Sequence, residues 1–394
     1  MSIIAWAFPI FLVKTIERRI IMHFIVAGVA KLTCQVFPEI YHAQLSEKVE
    51  RVKNLLNLPQ SMPLTVAESA TSHYRMRAEF RVWHKGDEWF YAMFDVQNKR
   101  PVFIEQCPMV HEAIATLMQP LRSQLLAHAL LSHKLYAIDF MASSDGEVLV
   151  TLIYKTPLTD EWQQAAASLS LPEKVMLMGR SRGKKRVLVR DYVEEPLQLV
   201  SGAGIRLRHV ENAFSQPNAG INRQMLDWVD DFWRSQPRAS ALLELYGGAG
   251  NFTWVLAQHA DAVVMTELST QAVEAAQQAF VQAGLSHVSI VAMDSAAVSA
   301  ALSETLALGT QFSWQGRVYD FAGILVDPPR AGLDELTRAL TQRFDIIVYI
   351  SCNPETLARD IATWQETHEL TRAAVFDQFP YTHHIEVGVV LQRK

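Results

Sequence analysis

An apolar run near the C-terminal end of the chain stops abruptly at a cysteine. Residues 344–350 are rich in β-branched side chains and of strand length, which predicts a buried strand. Beyond Cys352, Asn353 is a good helix N-cap and Pro354 suits the first helical position. The sequence therefore predicts a thiol between the end of a strand and the start of a helix, where the helix dipole lowers a thiol's pKa. A thiolate is a nucleophile; the bland alternative is a buried structural cysteine.

An acid follows another strand-like run. Residues 323–326 lead directly into Asp327, Pro328, Pro329 and Arg330. An acid followed by two prolines at the carboxyl edge of a strand stiffens a loop beside a ligand crevice. A simple connecting loop is the alternative, but the motif precedes the predicted cysteine-bearing strand.

A glycine-rich turn follows a third apolar strand. Residues 242–246 read LLELY, and the turn at 247–252 reads GGAGNF before a helical stretch. Glycines at such a turn let the backbone approach a ligand closely. Glu267 lies about twenty residues further on, after the predicted strand 262–266, where an acid holds a ribose hydroxyl. The spacing E-x-x-x-G-x-G favours S-adenosylmethionine over a dinucleotide, whose pyrophosphate needs G-x-G-x-x-G; a purely structural turn is the alternative.

The elements that must position these residues fall into two regions. From about residue 205 onward, strands alternate with helical segments, which is typical of an open α/β sheet. Before it, the pattern predicts a helix over 39–58 that Pro59 ends, and strands over about 72–190 with a hairpin turn at 143–146. We therefore expect an α/β protein with a β-rich N-terminal region.

One face of a predicted N-terminal strand is largely cationic. Apolar residues between 74 and 82 alternate with Arg75, Arg77, Glu79, Arg81 and Trp83. Arginines beside an aromatic ring can hold RNA through phosphate contacts and base stacking. A solvated strand face is the commoner alternative, and residues 180–186 form a second basic stretch.

Composition limits the class of protein. The 394 residues allow two or three domains, and the net charge of −5 restricts any RNA site to a local basic patch. Cys34, Cys107 and Cys352 lie far apart in sequence, so we expect neither a disulfide framework nor a C-x-x-C metal site. This cysteine usage predicts that the protein resides in a reducing cytoplasm.

The pattern of residues 1–35 indicates an appended segment, with Met22 as an alternative start codon. Two apolar runs, each too short to span a bilayer, are separated by charged residues. The charges do not precede an apolar core as they would in a signal peptide. We expect no membrane function from this segment.

Taken together, these motifs resemble the RNA uracil-5-methyltransferases. The segments that carry the resemblance are SHYRMRAEFRVWH at 72–84, FSQPN at 214–218, LELYGGAGNF at 243–252, VDPPRAGLD at 326–334, YISCNPETL at 349–357 and DQFPYTHHIEVGVVL at 377–391. The similarity covers roughly residues 39–394. It implies a class I, Rossmann-like methyltransferase domain over 205–394, dependent on S-adenosylmethionine, behind an α+β RNA-binding domain over 36–204.

The resemblance also implies roles for individual residues. Cys352 would be the nucleophile and Glu386 the proton acceptor. The implied ligands of the methyl donor are Gln216, Tyr246, Asn251, Glu267 and Asp327. The expected RNA contacts are Arg75, Arg77, Arg81 and Trp83.

The chemistry of uracil explains why two such groups are needed. Carbon 5 is too weak a nucleophile to attack a methyl sulfonium, but addition of a thiolate at carbon 6 turns the ring into an enolate that can. A base must then remove the proton from carbon 5 before the thiolate can leave. Glu386 begins the last apolar run, 387–391, where an unpartnered charge would be costly, although a surface acid is the alternative. The uracil must also flip out of its stack, and His383 and His384 would be RNA contacts or helpers.

Departures from the family pattern bear on the substrate. The glycine turn and the position of Val387 lack cysteines that relatives often carry, and neither change touches an implied role. Relatives that act on ribosomal RNA commonly carry a four-cysteine iron–sulfur site, for which only Cys34 and Cys107 are available. We therefore expect no metal or cluster, and a tRNA substrate.

We expect a cytoplasmic, monomeric enzyme that makes 5-methyluridine at position 54 of the tRNA T-loop, with T-loop-like RNA such as tmRNA as a further candidate substrate. Methylation of ribosomal RNA is the alternative within the same chemistry. A non-catalytic protein of this fold that binds or remodels RNA is the alternative outside it, and intact Cys352 and Glu386 speak against it.

Overall fold

The computed structural model describes residues 34–94, 100–305, 311–314 and 317–394. The strands in these ranges form a nine-stranded sheet, a seven-stranded sheet and a two-stranded ribbon. No helix among the described residues is long and apolar enough to cross a membrane. The predicted appended segment, with Met22, falls almost wholly outside the described residues.

The N-terminal half builds the seven-stranded sheet. The first described elements are a 3₁₀ turn, Pro38–Ile40, then helix α1 Tyr41–Leu55 and strand β1 Leu64–Ala67. The strands of the sheet are β2 Arg77–Lys85, β3 Glu88–Phe94, β4 Pro101–Phe103, β5 Leu135–Ala142, β6 Val148–Tyr154, β7 Val175–Ser181 and β8 Lys184–Val187. The helices between them are α2 Glu112–Ala127, α3 Ala129–Ser132 and α4 Asp160–Ala167. Their order in the sheet is β4-β3-β2-β5-β6-β7-β8.

Several local predictions are confirmed in this half. The predicted helix over 39–58 is present as α1, and the predicted hairpin is the antiparallel pair β5–β6. In β2, Phe80 and Val82 are buried while Trp83 is exposed, as the alternation predicted. The pattern was sufficient here because hairpins and strand faces are set by neighbouring residues.

The C-terminal half builds the nine-stranded sheet. A ribbon of β9 Tyr192–Gln198 and β10 Gly204–Val210 precedes it. Its strands are β1 together with β11 Ala241–Leu245, β12 Val263–Thr266, β13 Val288–Val291, β14 Gln311–Trp314, β15 Arg317–Val326, β16 Ile346–Ser351, β17 His368–Phe376 and β18 Glu386–Arg393. The helices are α5 Ala219–Arg234, α6 Thr253–His259, α7 Thr270–Gln282, α8 Ser295–Thr305, α9 Glu335–Thr341 and α10 Pro354–Ala362.

The main path of this sheet runs β1-β17-β18-β16-β15-β11-β12-β13, and β14 pairs with β15. Strands β11, β12, β13, β15 and β16 are parallel, and β18 is antiparallel to both of its neighbours. The predicted open α/β sheet is confirmed. Because parallel strands end at one edge, the residues that follow them meet there.

The first helix and strand differ from their expected placement. They were assigned to the RNA-binding region 36–204, yet β1 pairs in parallel with β17, with Leu64 opposite Ala373. The apolar face of α1, including Leu45 and Val52, packs into the core of the nine-stranded sheet. The predicted boundary after residue 204 falls at the start of β10, inside an antiparallel ribbon.

A buried ion pair fixes α1 against the segment between β17 and β18. Lys48 Nζ lies 2.6 Å from a carboxylate oxygen of Asp377 and also donates to the carbonyl of Phe379 at 3.0 Å. The two charged side chains are 3% and 0% exposed. Each charge therefore depends on the other for its compensation.

Two further residues on the same face of α1 hold this segment. Gln44 donates to the carbonyl of Thr382 at 3.0 Å and accepts from the amide of Tyr381 at 2.9 Å. Arg51 Nη2 donates to the carbonyl of His383 at 2.8 Å. The helix thus fixes the backbone that leads into β18.

The cysteines also differ from expectation. Cys34 and Cys107 form a disulfide with their Cα atoms 4.7 Å apart, although 73 residues separate them in sequence. Both lie in the core beneath the seven-stranded sheet. Sequence distance did not predict this proximity, and Cys352 remains as the free cysteine of the described chain.

We expect Lys48→Met to destabilise the protein, because it leaves the Asp377 carboxylate buried without its cation. Breaking a buried ion pair from one side costs about 3 to 5 kcal/mol, which urea unfolding followed by tryptophan fluorescence can measure. The matched control is Lys53→Met, since Lys53 pairs with Glu50 on the exposed side of the same helix. That loss should cost about 0 to 1 kcal/mol. Equal stability of the two variants would contradict a supporting role for the buried pair.

Candidate functional site

A cavity of about 740 Å³ opens where the parallel strands end. It lies within the usual size range of small-ligand pockets. The residues predicted from sequence that line it are Arg75, Arg77, Gln216, Tyr246, Glu267, Asp327, Cys352 and Glu386. Three others, Asn251, Arg81 and Trp83, are not among its described walls.

Strand pairing brings the cysteine and the glutamate together. Strands β16 and β18 are antiparallel neighbours, with Ser351 opposite Val387. Cys352 directly follows Ser351, and Glu386 directly precedes Val387. The two side chains lie 34 positions apart in sequence but at the same edge of the sheet, and both line the cavity.

The loop that carries Asp327 is tied to the turn that carries the thiol. Asn353 caps α10 by accepting from the amide of Glu355 at 3.1 Å, as predicted. Its side-chain nitrogen donates to the carbonyl of Arg330 at 2.9 Å. Because β15 and β16 are parallel neighbours, Asp327, which directly follows β15, lies at the same edge of the sheet as Cys352.

Burial and nearby carboxylates control the thiol. Burial, followed by the negative charges of Glu386 and Asp327, raises the pKa of Cys352 to about 11, against the opposing charge of Arg330. The prediction that the helix start lowers this pKa is therefore wrong for the free protein. The partial charge of a helix terminus is weaker than the combined effect of desolvation and two acids.

The acids perturb one another as well. Burial raises the pKa of Asp327 to about 7. Burial and the charge of Asp327 raise the pKa of Glu386 well above its ordinary value. Glu244 in β11, to which the sequence assigned no role, has its pKa raised to about 8 by burial, and its Oε1 has no hydrogen-bond partner among the described residues. A buried cluster of like charges retains protons near neutral pH.

The glycine turn and Glu267 meet at the cavity. Glu267 directly follows β12, and its carboxylate accepts from the amides of Gly248 at 2.9 Å and Ser269 at 2.7 Å. Gly248 lines the cavity, whereas Gly250 is needed for packing. At a φ of +89°, a Cβ on Gly250 would lie 2.4 Å from the ring of Phe280.

Side-chain amides occupy different environments. Gln216 is 9% exposed and lines the cavity, and its Oε1 accepts from Gln378 Nε2 at 2.9 Å. Asn251 instead forms a reciprocal amide pair with Asn222, at 2.8 and 2.9 Å. Both polar atoms of the Asn251 side chain are therefore engaged within the protein, and its role as a ligand stays a prediction.

Two arginines of the seven-stranded region reach the same cavity. Arg77 Nη2 pairs with Asp139 at 2.7 Å, and its Nη1 donates to the carbonyl of Ala213 at 3.1 Å. Arg75 Nε donates to the carbonyl of Arg77 at 2.9 Å. Arg77 therefore braces the wall of the cavity through contacts within the protein.

A cationic and aromatic group lies further along β2. The Arg81 guanidinium stacks 4.2 Å from the ring centre of Tyr136, and Lys155 Nζ lies 4.3 Å from the same ring centre. Trp83 is 40% exposed and makes an edge contact with Phe94. Sequence reasoning missed Tyr136 and Lys155, because only the pairing of β2 with β5, and of β5 with β6, brings them beside Arg81.

Comparison with known proteins gives a consistent assignment. The family model described as tRNA (uracil-5-)-methyltransferase matches residues 40–394. A relative from Pseudomonas fluorescens (strain Pf0-1), named tRNA/tmRNA (uracil-C(5))-methyltransferase, is 42% identical over 90% of this chain and 99% of its own length. A protein of the same name from Pseudomonas syringae pv. syringae (strain B728a) is 43% identical over 91% of this chain and 98% of its own.

A solved structure shares the fold. The tRNA (uracil-54, C5)-methyltransferase of Pyrococcus abyssi, crystallised with S-adenosyl-L-homocysteine, superposes with a TM-score of 0.67 at 20% identity. The match covers 89% of this chain and 83% of that one. With the family match across residues 40–394 and relatives at 42 and 43% identity, this chain belongs to the tRNA (uracil-5-)-methyltransferase family.

Proposed function

We propose that this protein transfers a methyl group from S-adenosylmethionine to carbon 5 of the T-loop uridine at position 54 of tRNA, through a covalent bond between Cys352 and carbon 6. The observation that carries the proposal is that Cys352 and Glu386 line one cavity beside Asp327 and Gln216. The names of the curated relatives, which refer to tRNA and tmRNA, support both RNAs as substrates.

The walls of the cavity suit a cationic methyl donor. Asp327, Glu386 and Glu267 line it; burial raises the pKa of Asp327, and burial together with the charge of Asp327 raises the pKa of Glu386. A cationic sulfonium would compensate the negative charge of these acids, whereas an anionic ligand would add to it. Gln216, Tyr246, Glu267 and Asp327 would hold the donor. When bound, S-adenosylmethionine supplies an electrophilic methyl group.

Cys352 and Glu386 divide the remaining chemistry. The Cys352 thiolate adds to carbon 6, and the electrons of the carbon 5–carbon 6 bond pass into an enolate. Carbon 5 then takes the methyl group as the bond between methyl and sulfur breaks, and that electron pair stays on the sulfur of the departing thioether. Glu386 then takes the carbon 5 proton, the carbon 5–carbon 6 double bond returns, and Cys352 leaves as a thiolate. A Glu386 carboxylate is required for that step, so it must be deprotonated when the base has been methylated.

The resting thiol needs a change of electrostatics before it reacts. A pKa of about 11 keeps Cys352 protonated in the free protein at neutral pH. A positive charge near Asp327 and Glu386 offsets the two acids that raise this pKa. Binding of the sulfonium would therefore favour the thiolate, and Arg330 acts in the same direction.

The seven-stranded sheet is proposed as the RNA-binding region, with residues 205–394, α1 and β1 as the catalytic region. Arg81, Tyr136 and Lys155 support this, since cations around a partly exposed ring offer phosphate contacts and a stacking surface. A tRNA substrate favours a cytoplasmic location. A monomer is proposed because one chain supplies every residue of the proposed mechanism.

We expect slow alkylation of Cys352 by iodoacetamide at pH 8, because a thiol with a pKa of about 11 is about one part in a thousand ionised there. The rate should rise about tenfold per pH unit as the thiolate fraction grows. Asp327→Asn should accelerate alkylation at pH 8, since it removes a negative charge that disfavours the thiolate. Intact-protein mass spectrometry measures the rate, with Cys352→Ala as the control. A profile centred near the ordinary thiol pKa of about 8.5 would contradict the electrostatic account.

We expect Glu386→Gln to accumulate a covalent adduct between the enzyme and methylated tRNA, because addition and methyl transfer proceed while proton removal slows. Loss of a general base typically costs about a hundred- to ten-thousand-fold, which makes that step limiting. A denaturing gel would show the adduct as a shifted band, and base-resolved mapping would place the methyl group.

The matched controls are Cys352→Ala and the double variant with Glu386→Gln. Both should bind tRNA, because phosphate contacts dominate affinity, but neither should methylate it nor form the band. Normal turnover by Glu386→Gln, or an adduct that survives Cys352→Ala, would overturn the assignment of the two roles.

We expect Arg81→Ala to weaken tRNA binding and to lower the slope of log affinity against log salt by about 1, as for the loss of a phosphate contact. Arg81 is a better test than Arg77, because its ion pair with Glu79 is exposed and long, at 3.8 Å, whereas Arg77 pairs with the buried Asp139 at 2.7 Å. The control is Arg238→Ala. Arg238 pairs with Asp261, and it precedes β11 at the opposite edge of the sheet from the cavity. Filter binding at several salt concentrations measures the slope, and equal slopes for the two variants would move the RNA surface elsewhere.

A further inference from the structure

A second cavity, of about 250 Å³, also reaches the catalytic thiol. Cys352 and Arg330 line both cavities. The remaining walls of the smaller one are Arg51, Asn353, Pro354, Glu355, His383, His384 and Ile385. The proposed mechanism assigns no role to this cavity, and no sequence motif singled out Arg51.

The walls of this cavity carry a positive field. Arg51 and Arg330 contribute two guanidinium groups, against the single carboxylate of Glu355 among the described walls. Burial lowers the pKa of His383, and the charges of Arg51 and Arg330 lower it further. Burial, the neighbouring His383 and Arg330 lower the pKa of His384 to about 4. The imidazoles are therefore neutral and able to donate a hydrogen bond without adding charge.

Arg51 is held in place with donor capacity to spare. Its Nη2 donates to the carbonyl of His383 at 2.8 Å, which fixes the guanidinium at the cavity. Its Nε is buried and has no hydrogen-bond partner among the described residues. Helix α10 begins at Pro354, another wall residue, and adds the partial positive charge of a helix start.

We propose that this smaller cavity binds a phosphodiester group of the RNA strand next to the target uridine, with Arg51 and Arg330 as the charged donors. Guanidinium groups suit phosphate because their donors match its oxygens in pairs. The inference rests on the proposed function. A uracil with carbon 6 at Cys352 is joined through its own ribose to the flanking phosphates, so a phosphate site beside the thiol lies within one nucleotide of the base.

Such a contact would position the flipped nucleotide. Phosphate contacts fix the register of a nucleic acid without reading its sequence. Flipping also costs unstacking energy, which a phosphate contact made only in the flipped state helps to offset. Arg51 is thus a binding residue of the substrate strand, and α1 links the segment before Glu386 to that strand.

The first test measures binding of a T-arm hairpin RNA at several salt concentrations. Arg51→Gln should lower the slope of log affinity against log salt by about 1, and Arg51→Lys should restore it because the charge returns. Lys53→Gln removes an exposed cation from the same helix and should leave the slope unchanged. Affinity for S-adenosylmethionine and the thermal unfolding temperature should match the wild type in the Lys variant. Equal slopes for Arg51→Gln and Lys53→Gln would overturn the proposal.

The second test neutralises the phosphate. Hairpins with one uncharged methylphosphonate on either side of the target uridine should bind the wild type more weakly for one of the two positions. Arg51→Gln should show no further loss for that hairpin. An equal loss in both proteins would overturn the proposal. If inorganic phosphate also inhibits the wild type but not Arg51→Gln, those equal losses would assign the cavity to a free anion. If the wild type fails to methylate the unmodified hairpin, the proposed function fails; if it methylates and the slopes are equal, only the phosphate site fails.

Discussion

Negative charge buried around a single thiol is the constraint on which the rest of the site depends. Asp327 directly follows β15, Glu386 begins β18 and Glu244 lies near the end of β11, and burial raises the pKa of each. Burial together with the negative charges of Glu386 and Asp327 keeps Cys352 as a protonated thiol in the free protein. Arg75, Arg77 and Arg330 also line the larger cavity, but Arg77 is already paired with Asp139, and the charge of Arg330 opposes the rise in the Cys352 pKa without cancelling it. In the proposed mechanism, a cationic ligand supplies the remaining compensation.

The same edge is assembled from segments along the whole chain. Arg75 comes from the start of the seven-stranded region, Gln216 from the connection before α5, and Glu386 from the last strand. Two layers of support keep these segments in register. Asn353 ties the loop after β15 to the turn after β16, and Lys48 on α1 secures the approach to β18 through Asp377. The catalytic groups therefore sit on strand ends, with their loops braced by buried polar contacts.

The positions of Asp327 and Cys352 were predictable because the parallel strands β15 and β16 end at one edge, whereas Glu386 begins the antiparallel strand β18. The runs before Asp327 and Cys352 were readable as strands, and the cap at Asn353 marked the helix that follows. The thiol's pKa was not predictable, since its direction depends on Glu386 and Asp327, which approach only after folding. The approach of Arg81 and Lys155 to the ring of Tyr136 was not predictable either, because it also depends on folding. The apolar stripe of α1 predicted a helix but not the sheet against which that helix packs. Local pattern gives an element and its buried face; the partner of that face depends on contacts between distant segments.

The pairing of the first elements with the last ones has a consequence for synthesis of the protein. Gln44 donates a hydrogen bond to Thr382, which lies 338 positions away in sequence, and β1 cannot pair until β17 has been synthesised. The seven-stranded sheet, by contrast, draws only on residues 77–187 and can form while the ribosome is still translating the remainder. During that interval α1 keeps its apolar face without its native partner, which makes it a natural client for a chaperone. A nascent chain therefore completes the surface around Arg81, the proposed RNA contact, well before the segment with Glu386 has been synthesised, and a ribosome that stalls late would leave a product with that surface but without the proposed catalytic pair.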